Sequence, residues 1–313
     1  HPRVRRQRQM CIRDRNITLK ETFMGKIAIV TDSNAGITQL EAEKLKNVFV
    51  IPMPFTIDGE EYFEDINLTQ EEFYQKLTDD ADISTSQPSI GYITELWDKL
   101  LKEYDYVLHI PMSSALSMSC ETAKNFANGY DGKVLVIDNK RISVTQKQSV
   151  YDAQALISQG KTAQEIKEIL EETALDSSIY IMVDTLKYLK KGGRITPAAA
   201  AIGTLLRIKP VLQIQGGKLD RFAKAVNDKV AVTRMIDAIK KDLDTRFKDL
   251  KERGEMEFFV AYTNCLDKAQ AFAKKIQEEI PDVKLTHMDP LSLSVSCHIG
   301  SGSLAVACCR IIK

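Results

Sequence analysis

The feature that most constrains this chain is an alternation of short β-branched runs with amphipathic stretches, which continues from residue 26 to residue 311. Lys26–Thr31 and Tyr106–Ile110 have the length and composition of strands. Ile90–Tyr104 carries its apolar residues at helical spacing. Such alternation is typical of helices that cover mostly parallel sheet. The sequence therefore predicts an α/β fold.

The second half of the chain restarts this pattern. Pro197–Leu206 and the charged stretch Lys229–Arg253 are predicted to be helices. Strands at Val211–Ile214 and Lys218–Phe222 are predicted to form a hairpin about Gly216-Gly217. No repeat or low-complexity linker separates the halves, so we expect them to pack closely.

Charge is unevenly distributed along the chain. Seven of its 43 Lys and Arg residues precede Met24, against two of its 43 Asp and Glu residues, so the remainder carries a net charge of about −5. A mildly acidic body disfavours a nucleic-acid partner, which requires a clustered positive field. Residues 1–24 lack the apolar core of a signal peptide. They are expected to be a disordered or non-native basic extension, with a nucleic-acid-binding arm as the alternative.

Composition also bears on compartment and metal binding. No apolar run approaches the roughly 18–20 residues that a membrane span requires, so we expect a cytoplasmic protein without an integral membrane segment. The six cysteines form no C-x-x-C pair, which disfavours a disulfide framework or a zinc site. They are expected to be reduced and mostly buried. The four histidines show no metal-ligand spacing, so neither a metal nor a cofactor is expected.

Two hydroxyl-rich segments are the first candidates for a binding site. Residues 83–89 (Ile-Ser-Thr-Ser-Gln-Pro-Ser) precede the helix at Ile90, and residues 109–117 (His-Ile-Pro-Met-Ser-Ser-Ala-Leu-Ser) lie between a strand and a helix. Free N–H groups and the positive end of the helix dipole lie where a helix begins, which favours an anion. Capping and turn formation explain one or two such hydroxyls. So many hydroxyls in two segments favour a site.

Two further clusters contain groups that can contact an anion. Residues 296–303 (Ser-Cys-His-Ile-Gly-Ser-Gly-Ser) are expected to lead into an apolar helix. Their glycines allow close approach of a ligand, but they lack the spacing and the lysine of a phosphate loop. His298 alone is more often a structural histidine. Residues 190–195 place Arg194 after a Gly-Gly turn, which by itself is a basic surface turn.

Two enzyme classes compete with a binding protein. No G-x-S-x-G elbow follows a predicted strand, although a serine, His298 and an acid could still meet in space. A dinucleotide enzyme is disfavoured because no G-x-G-x-x-G follows a strand. The alternative that remains is a serine-dependent lipid hydrolase or acyltransferase that uses Ser114 or Ser117 with His298.

The four clusters, in this order, resemble the DegV family of bacterial fatty-acid-binding proteins. The resemblance covers nearly the whole chain after Met24, and its motifs are specific as a set although each is weak alone. The motifs are residues 30–33 (Val-Thr-Asp-Ser), 85–89 (Thr-Ser-Gln-Pro-Ser), 113–117 (Ser-Ser-x-x-Ser), 183–189 (Val-Asp-Thr-Leu-x-Tyr-Leu), 192–195 (Gly-Gly-Arg-Ile), 208–210 (Ile-Lys-Pro) and 298–302 (His-x-Gly-x-Gly).

The resemblance implies a two-lobed fold with the ligand between the lobes. An N-terminal lobe at residues 25–176 and a C-terminal lobe at residues 177–313 would each be a mostly parallel sheet flanked by helices. It implies a carrier rather than an enzyme, which binds the carboxylate of one long-chain fatty acid through Thr85 and Ser117 and buries the tail. A fatty acid kinase is the implied protein partner. The residues implied around the head group are Ser86, Ser114, Arg194 and His298.

Two departures from the family pattern bear on function. Met118 stands where the family usually has glycine, and its bulk is expected to narrow the head-group pocket or the tail tunnel. Asn227 stands where a basic segment commonly supplies an arginine, which puts coupling to a kinase in question. The sequence leaves chain length, unsaturation and oligomeric state open. Side chains proposed to line the tunnel, although core packing explains them equally well, are Leu116, Met118, Ile202 and Leu205.

Overall fold

The computed structural model describes residues 25–78, 81–201 and 208–313. The basic extension expected at residues 1–24 lies outside the described residues. So do Ile202 and Leu205, which were predicted to line a tail tunnel. Of the helix predicted for Pro197–Leu206, the structure describes the first turn, Pro197–Ala200.

Strands and helices alternate along the described chain, which confirms the α/β class. The strands are β1 (Ile27–Asp32), β2 (Val48–Ile51), β3 (Phe55–Ile57), β4 (Glu60–Tyr62), β5 (Ile83–Thr85), β6 (Tyr106–Ile110), β7 (Val134–Val136), β8 (Ser177–Met182), β9 (Lys209–Ile214), β10 (Asp220–Ala225), β11 (Met256–Tyr262), β12 (Leu285–Pro290) and β13 (Leu304–Arg310). The helices are α1 (Gln39–Lys44), α2 (Gln70–Lys76), α3 (Ile90–Leu100), α4 (Ser119–Ala127), α5 (Val144–Ser158), α6 (Ala163–Glu172), α7 (Lys187–Gly192), α8 (Pro197–Ala200), α9 (Asp228–Asp244), α10 (Lys248–Glu252), α11 (Leu266–Glu279) and α12 (Leu293–Ile299).

The first half of the chain contains a four-stranded parallel sheet of order β2-β1-β6-β7. β1 lies inside this sheet and is buried along its whole length, as expected for a strand covered on both faces. Residues of α1, α5 and α6 pack on one face of the sheet. Residues of α3 and α4 pack on the other. This sheet matches the predicted parallel sheet flanked by helices.

The second half contains a six-stranded sheet of order β10-β9-β8-β13-β11-β12. β11 and β12 are parallel, whereas the other pairings of these strands are antiparallel. The prediction of a mostly parallel sheet in this half is therefore wrong. The hairpin about Gly216-Gly217 is confirmed and joins β9 to β10. Alternation along a chain indicates the type of each element, but it does not fix the direction in which a returning strand such as β13 enters the sheet.

A small antiparallel sheet of order β4-β3-β5 belongs to the first half and lies where the two halves meet. Phe55 of β3 packs edge-on against Phe73 of α2, with ring centroids 5.7 Å apart. The same apolar cluster includes Leu293 and Cys297 of α12. This part of the first half therefore packs against a helix of the second, and it carries Thr85 there at the end of β5.

Several local predictions can be compared with the structure. A capping box formed by Thr69 and Glu72 begins α2. The long helix predicted for Lys229–Arg253 is wrong, because two helices, α9 and α10, replace it. The apolar helix expected after Ser303 is also wrong, since these residues form β13 and the cluster around His298 lies in and just after α12. The domain boundary predicted between residues 176 and 177 remains a proposal.

Candidate binding site

A cavity of about 190 Å³ lies between the two halves of the chain, with walls from both. The structure brings together five of the six predicted head-group residues on this wall. They come from the end of β5, the loop after β6, the turn after α7 and the end of α12. These five are Thr85, Ser86, Ser117, Arg194 and His298.

Thr85 and His298 are hydrogen-bonded to each other inside the cavity. Thr85 is the last residue of β5, where it pairs with Phe55 of β3. His298 lies in the last turn of α12. Thr85 Oγ1 is 2.8 Å from His298 Nε2, so each side chain restricts the orientation of the other.

The environment of His298 keeps its imidazole neutral. Burial lowers the pKa of His298 to about 4, and the positive charge of Arg194 adds to this effect. A neutral imidazole has one donor and one acceptor nitrogen. When Nε2 carries the proton, it donates to Thr85 Oγ1, and the threonine hydroxyl is then available to donate to a third group.

Arg194 supplies positive charge to the cavity. It follows Gly193, which ends α7 at φ 68°, a left-handed conformation that suits glycine. The guanidinium donates to two backbone oxygens, from Nε to Leu116 at 3.3 Å and from Nη1 to Gly192 at 2.5 Å. Among the described residues, no carboxylate pairs with Arg194 and no Asp or Glu lines the cavity. The site is therefore suited to an anion.

The serines of the predicted site differ in position. Ser117 Oγ accepts a hydrogen bond of 3.2 Å from the Ser119 N–H, so its own O–H can donate to another group. Ser86 also lines the cavity. Ser114 is not among the lining residues. Its hydroxyl accepts a hydrogen bond of 2.7 Å from Lys140 Nζ, which also pairs with Asp138. The structure thus gives no support for Ser114 in the head-group shell.

Sequence reasoning missed a second polar patch on the cavity wall, formed by Asn34 and Ser294. Asn34 Oδ1 accepts hydrogen bonds from the hydroxyls of Ser292 and Ser294, which joins the turn after β1 to the start of α12. Behind this patch, Asp32 accepts a hydrogen bond of 2.8 Å from the Met112 N–H. Burial raises the pKa of Asp32 to about 6. Asn34 and Ser294 are 260 positions apart, and no local pattern signals their contact.

An apolar slot of about 50 Å³ continues from the cavity. Its floor is the inner face of the six-stranded sheet, where Ala305 and Ala307 of β13 lie opposite Ile181 and Ile179 of β8. The small side chains of Ala305 and Ala307, with Ala261 of β11 beside Ala305, leave a trough in this face of the sheet. The residues that line both the cavity and the slot are Leu116, Ile142, Leu219, Val295 and Ile299.

The two sequence departures have distinct structural settings. Met118 lines the cavity, yet its side chain is 68% exposed. It lies at the cavity mouth rather than filling the interior. Its φ of −74° needs no glycine. Asn227 caps α9 by accepting a 3.0 Å hydrogen bond from the Val230 N–H, a role that an arginine could not fill.

One cluster of thiol and carboxylate side chains has the spacing of metal ligands. Cys120, Glu121 and Asp138 place ligand atoms within 4.8 Å of one another. Lys140 and Lys124 already pair with Asp138, so the charge that a cation would balance is satisfied. The absence of a metal and of a cofactor remains a prediction.

None of the described helices is long and apolar enough to cross a bilayer.

The sequence of the chain matches known proteins over most of its length. The matching family model is described as "Uncharacterised protein, DegV family" and covers residues 26–310. A DegV domain-containing protein of Clostridium perfringens is 32% identical over 295 residues, which are 90% of this chain and 97% of the relative.

Solved structures match it as well. One is a DegV family protein from Thermus thermophilus described by its fatty acid binding, with a TM-score of 0.83 and 27% identity over 91% of this chain and 100% of that one. Another is a stearic-acid-binding protein from Eubacterium ventriosum, with a TM-score of 0.81 and 25% identity over 91% of this chain and 98% of that one.

Proposed function

The chain belongs to the DegV family, whose model it matches over residues 26–310, and we propose that it binds one long-chain fatty acid without being an enzyme. The observation that carries this proposal is the continuity of a hydroxyl-lined, positively charged cavity with an apolar slot. A fatty acid has the same two parts. The descriptions of the two solved relatives named above support the same ligand class.

The carboxylate is proposed to bind in the cavity. A buried carboxylate without partners would take up a proton or stay in water. The O–H groups of Thr85 and Ser117 would donate charge-assisted hydrogen bonds to it. Arg194 would offset its charge, and His298 would hold Thr85 in the donating orientation. Ser86 lies close by on the same wall.

The acyl tail is proposed to enter the slot and to provide most of the affinity. At about 0.8 kcal/mol per buried methylene, a chain of roughly sixteen carbons contributes on the order of 10 kcal/mol before association costs. The cavity and the slot together offer about 240 Å³, whereas an apolar cavity of about 150 Å³ holds benzene in another protein. A long tail therefore needs more room than this. We propose that the apolar side chains shared by both compartments, such as Leu116 and Ile299, move apart when it binds.

Presentation of the bound acid to a fatty acid kinase is the finer part of the proposal. The carboxylate end is the accessible one, because Ser86, Gln87 and Met118 line the cavity and are exposed. A second protein could therefore reach the head group at this mouth. Asn227 adds no positive charge to such an interface, and Asp228 beside it is paired with Lys268. Coupling in this chain would have to rely on other cations.

A serine hydrolase or acyltransferase is the competing function. It requires a serine hydrogen-bonded to His298. Among the described residues, the hydrogen-bond partner of His298 Nε2 is the hydroxyl of Thr85 and not that of a serine. The hydroxyl of Ser114 accepts a hydrogen bond from Lys140. This arrangement favours binding over acyl transfer.

The proposal is tested by native mass spectrometry of the protein after expression in bacteria. We expect a non-covalent adduct with the mass of one fatty acid, which disappears on delipidation and returns with added palmitate. Protein that carries no acid and does not bind palmitate would contradict the proposal. A covalent acyl adduct, or labelling by a fluorophosphonate, would favour the hydrolase instead.

A further inference from the structure

The ring of His298 is in close contact with the backbone of Gly192. A β-carbon added to Gly192 would lie 2.2 Å from His298 Nδ1 and 2.7 Å from Cε1, well inside van der Waals contact. Gly192 has no positive φ, so backbone conformation alone does not require a glycine there. The requirement comes from the neighbouring ring.

The ring cannot move away from Gly192 without cost to the site. His298 is largely buried in α12, and its opposite nitrogen, Nε2, is the one held 2.8 Å from Thr85 Oγ1. Any shift that relieved contact at Nδ1 would therefore displace the ring relative to Thr85. The imidazole of His298 therefore cannot both make room for a side chain at residue 192 and keep its hydrogen bond to Thr85.

Gly192 also contacts the cationic side of the site. Its carbonyl oxygen accepts the 2.5 Å hydrogen bond from Arg194 Nη1. A second glycine makes a similarly close contact between α7 and the end of α12. A β-carbon on Gly300, just after α12, would lie 2.9 Å from the ring of Tyr188 in α7. The end of α7 and the end of α12 thus interlock, with Gly192 between His298 and Arg194.

We propose that Gly192 is a positioning residue for carboxylate binding: its missing side chain lets His298 reach Thr85 and orient the threonine hydroxyl toward the ligand. This inference rests on the proposed function, and it adds to that function a residue that never touches the fatty acid. It predicts that a larger residue at position 192 weakens fatty-acid binding because it displaces His298.

The test is a double-mutant cycle of Gly192→Ala and His298→Ala, with affinities for palmitate and for 1-hexadecanol. Gly192→Ala should weaken palmitate binding about 10-fold, the equivalent of one hydrogen bond, and leave the alcohol within about 2-fold. In the His298→Ala background, the ring is gone and Gly192→Ala should change palmitate affinity less than about 2-fold. Gly217→Ala is the matched control, since a β-carbon there meets open space.

The outcomes separate this inference from the proposed function. Failure of the unaltered protein to bind palmitate refutes the function itself. If it binds, an equal loss from Gly192→Ala in both backgrounds, or an equal loss for acid and alcohol, overturns the positioning role. Gly192→Ala alone could fail to fold. In that case, a double variant that folds as well as the single variant His298→Ala would support a clash between residue 192 and the ring. A double variant that also fails to fold would overturn the positioning role.

Discussion

The cavity and the slot that continues from it are built in different ways. The polar side chains of the cavity lie at the ends of strands and helices and come from five segments far apart in the sequence, and apolar side chains complete its wall. The slot is floored by the regular face of one sheet, where neighbours such as Ala305 and Ile181 are fixed by strand register. The comparison indicates a division of labour, in which the cavity sets ligand class and orientation and the slot sets affinity.

The largest effect is expected from removing both hydroxyl donors of the cavity. Thr85→Ala with Ser117→Ala should weaken palmitate binding by roughly 1–3 kcal/mol per lost donor, measured by isothermal titration calorimetry. Ser114→Ala is the matched control and should leave affinity unchanged, because Lys140 holds that hydroxyl away from the cavity. Palmitate binding of unaltered strength by the double variant would show that the carboxylate binds elsewhere.

The next effect isolates the slot. Laurate has four fewer methylenes than palmitate, so it should bind about 3 kcal/mol more weakly. The same difference should appear in the Thr85→Ala variant, since distant sites contribute additively. If palmitate and laurate bound the Thr85→Ala variant equally well, the cavity and the slot would not contribute independently to affinity, which would refute the division of labour.

Outside the cavity, the contact between the first half of the chain and the start of α12 should respond to pH. Glu64 accepts a hydrogen bond of 2.9 Å from the Leu293 N–H at the start of α12, and burial raises its pKa to about 7. Because the pKa of Glu64 is raised in the folded state, protonation of Glu64 stabilises the folded protein. This contribution to the free energy of unfolding is fully present below about pH 4.5 and is lost as pH rises through 7.

Glu64→Gln removes this titration. Between pH 4.5 and 8, the free energy of unfolding of the unaltered protein should fall by roughly 2–3 kcal/mol relative to the variant, measured by urea unfolding. Other titrating groups, such as Asp32, are common to both proteins and cancel. A difference that is independent of pH would mean that the pKa of Glu64 is not raised in the folded protein.

The smallest effect is expected from narrowing the slot. Ala307→Leu places a large side chain on its floor and should displace about two methylenes of the tail, which costs palmitate about 1–2 kcal/mol and short acids less. Val306→Leu is the control, because Val306 faces the opposite apolar core. Equal losses for octanoate and palmitate, measured by competition binding, would place the tail elsewhere.

The same contrast explains what the sequence could predict. Cavity residues such as Thr85, Ser117 and Arg194 lie in compact motifs with turn and capping chemistry, so they stand out locally. The slot does not, because its floor strand Leu304–Arg310 contains two alanines, and alanine favours a helix over a strand. A short buried run without alternation is ambiguous between the two.

Long-range geometry was the other limit. Strands of three residues, such as Phe55–Ile57 and Glu60–Tyr62, are too short for a periodic signal. The small sheet that carries Thr85 to His298 was therefore missed. The contact of Asn34 with Ser294 likewise depends on how the halves pack. By contrast, the strand Tyr106–Ile110 was predicted with the bounds that the structure shows.

The most direct test is a crystal structure of the protein with palmitate bound. We predict carboxylate oxygens within hydrogen-bonding distance of Thr85 Oγ1 and Ser117 Oγ, and an acyl chain that runs along β13 past Ala305 toward Ala307. A carboxylate at the far end of the slot, or an acid bound outside the space between the two halves, would contradict this account.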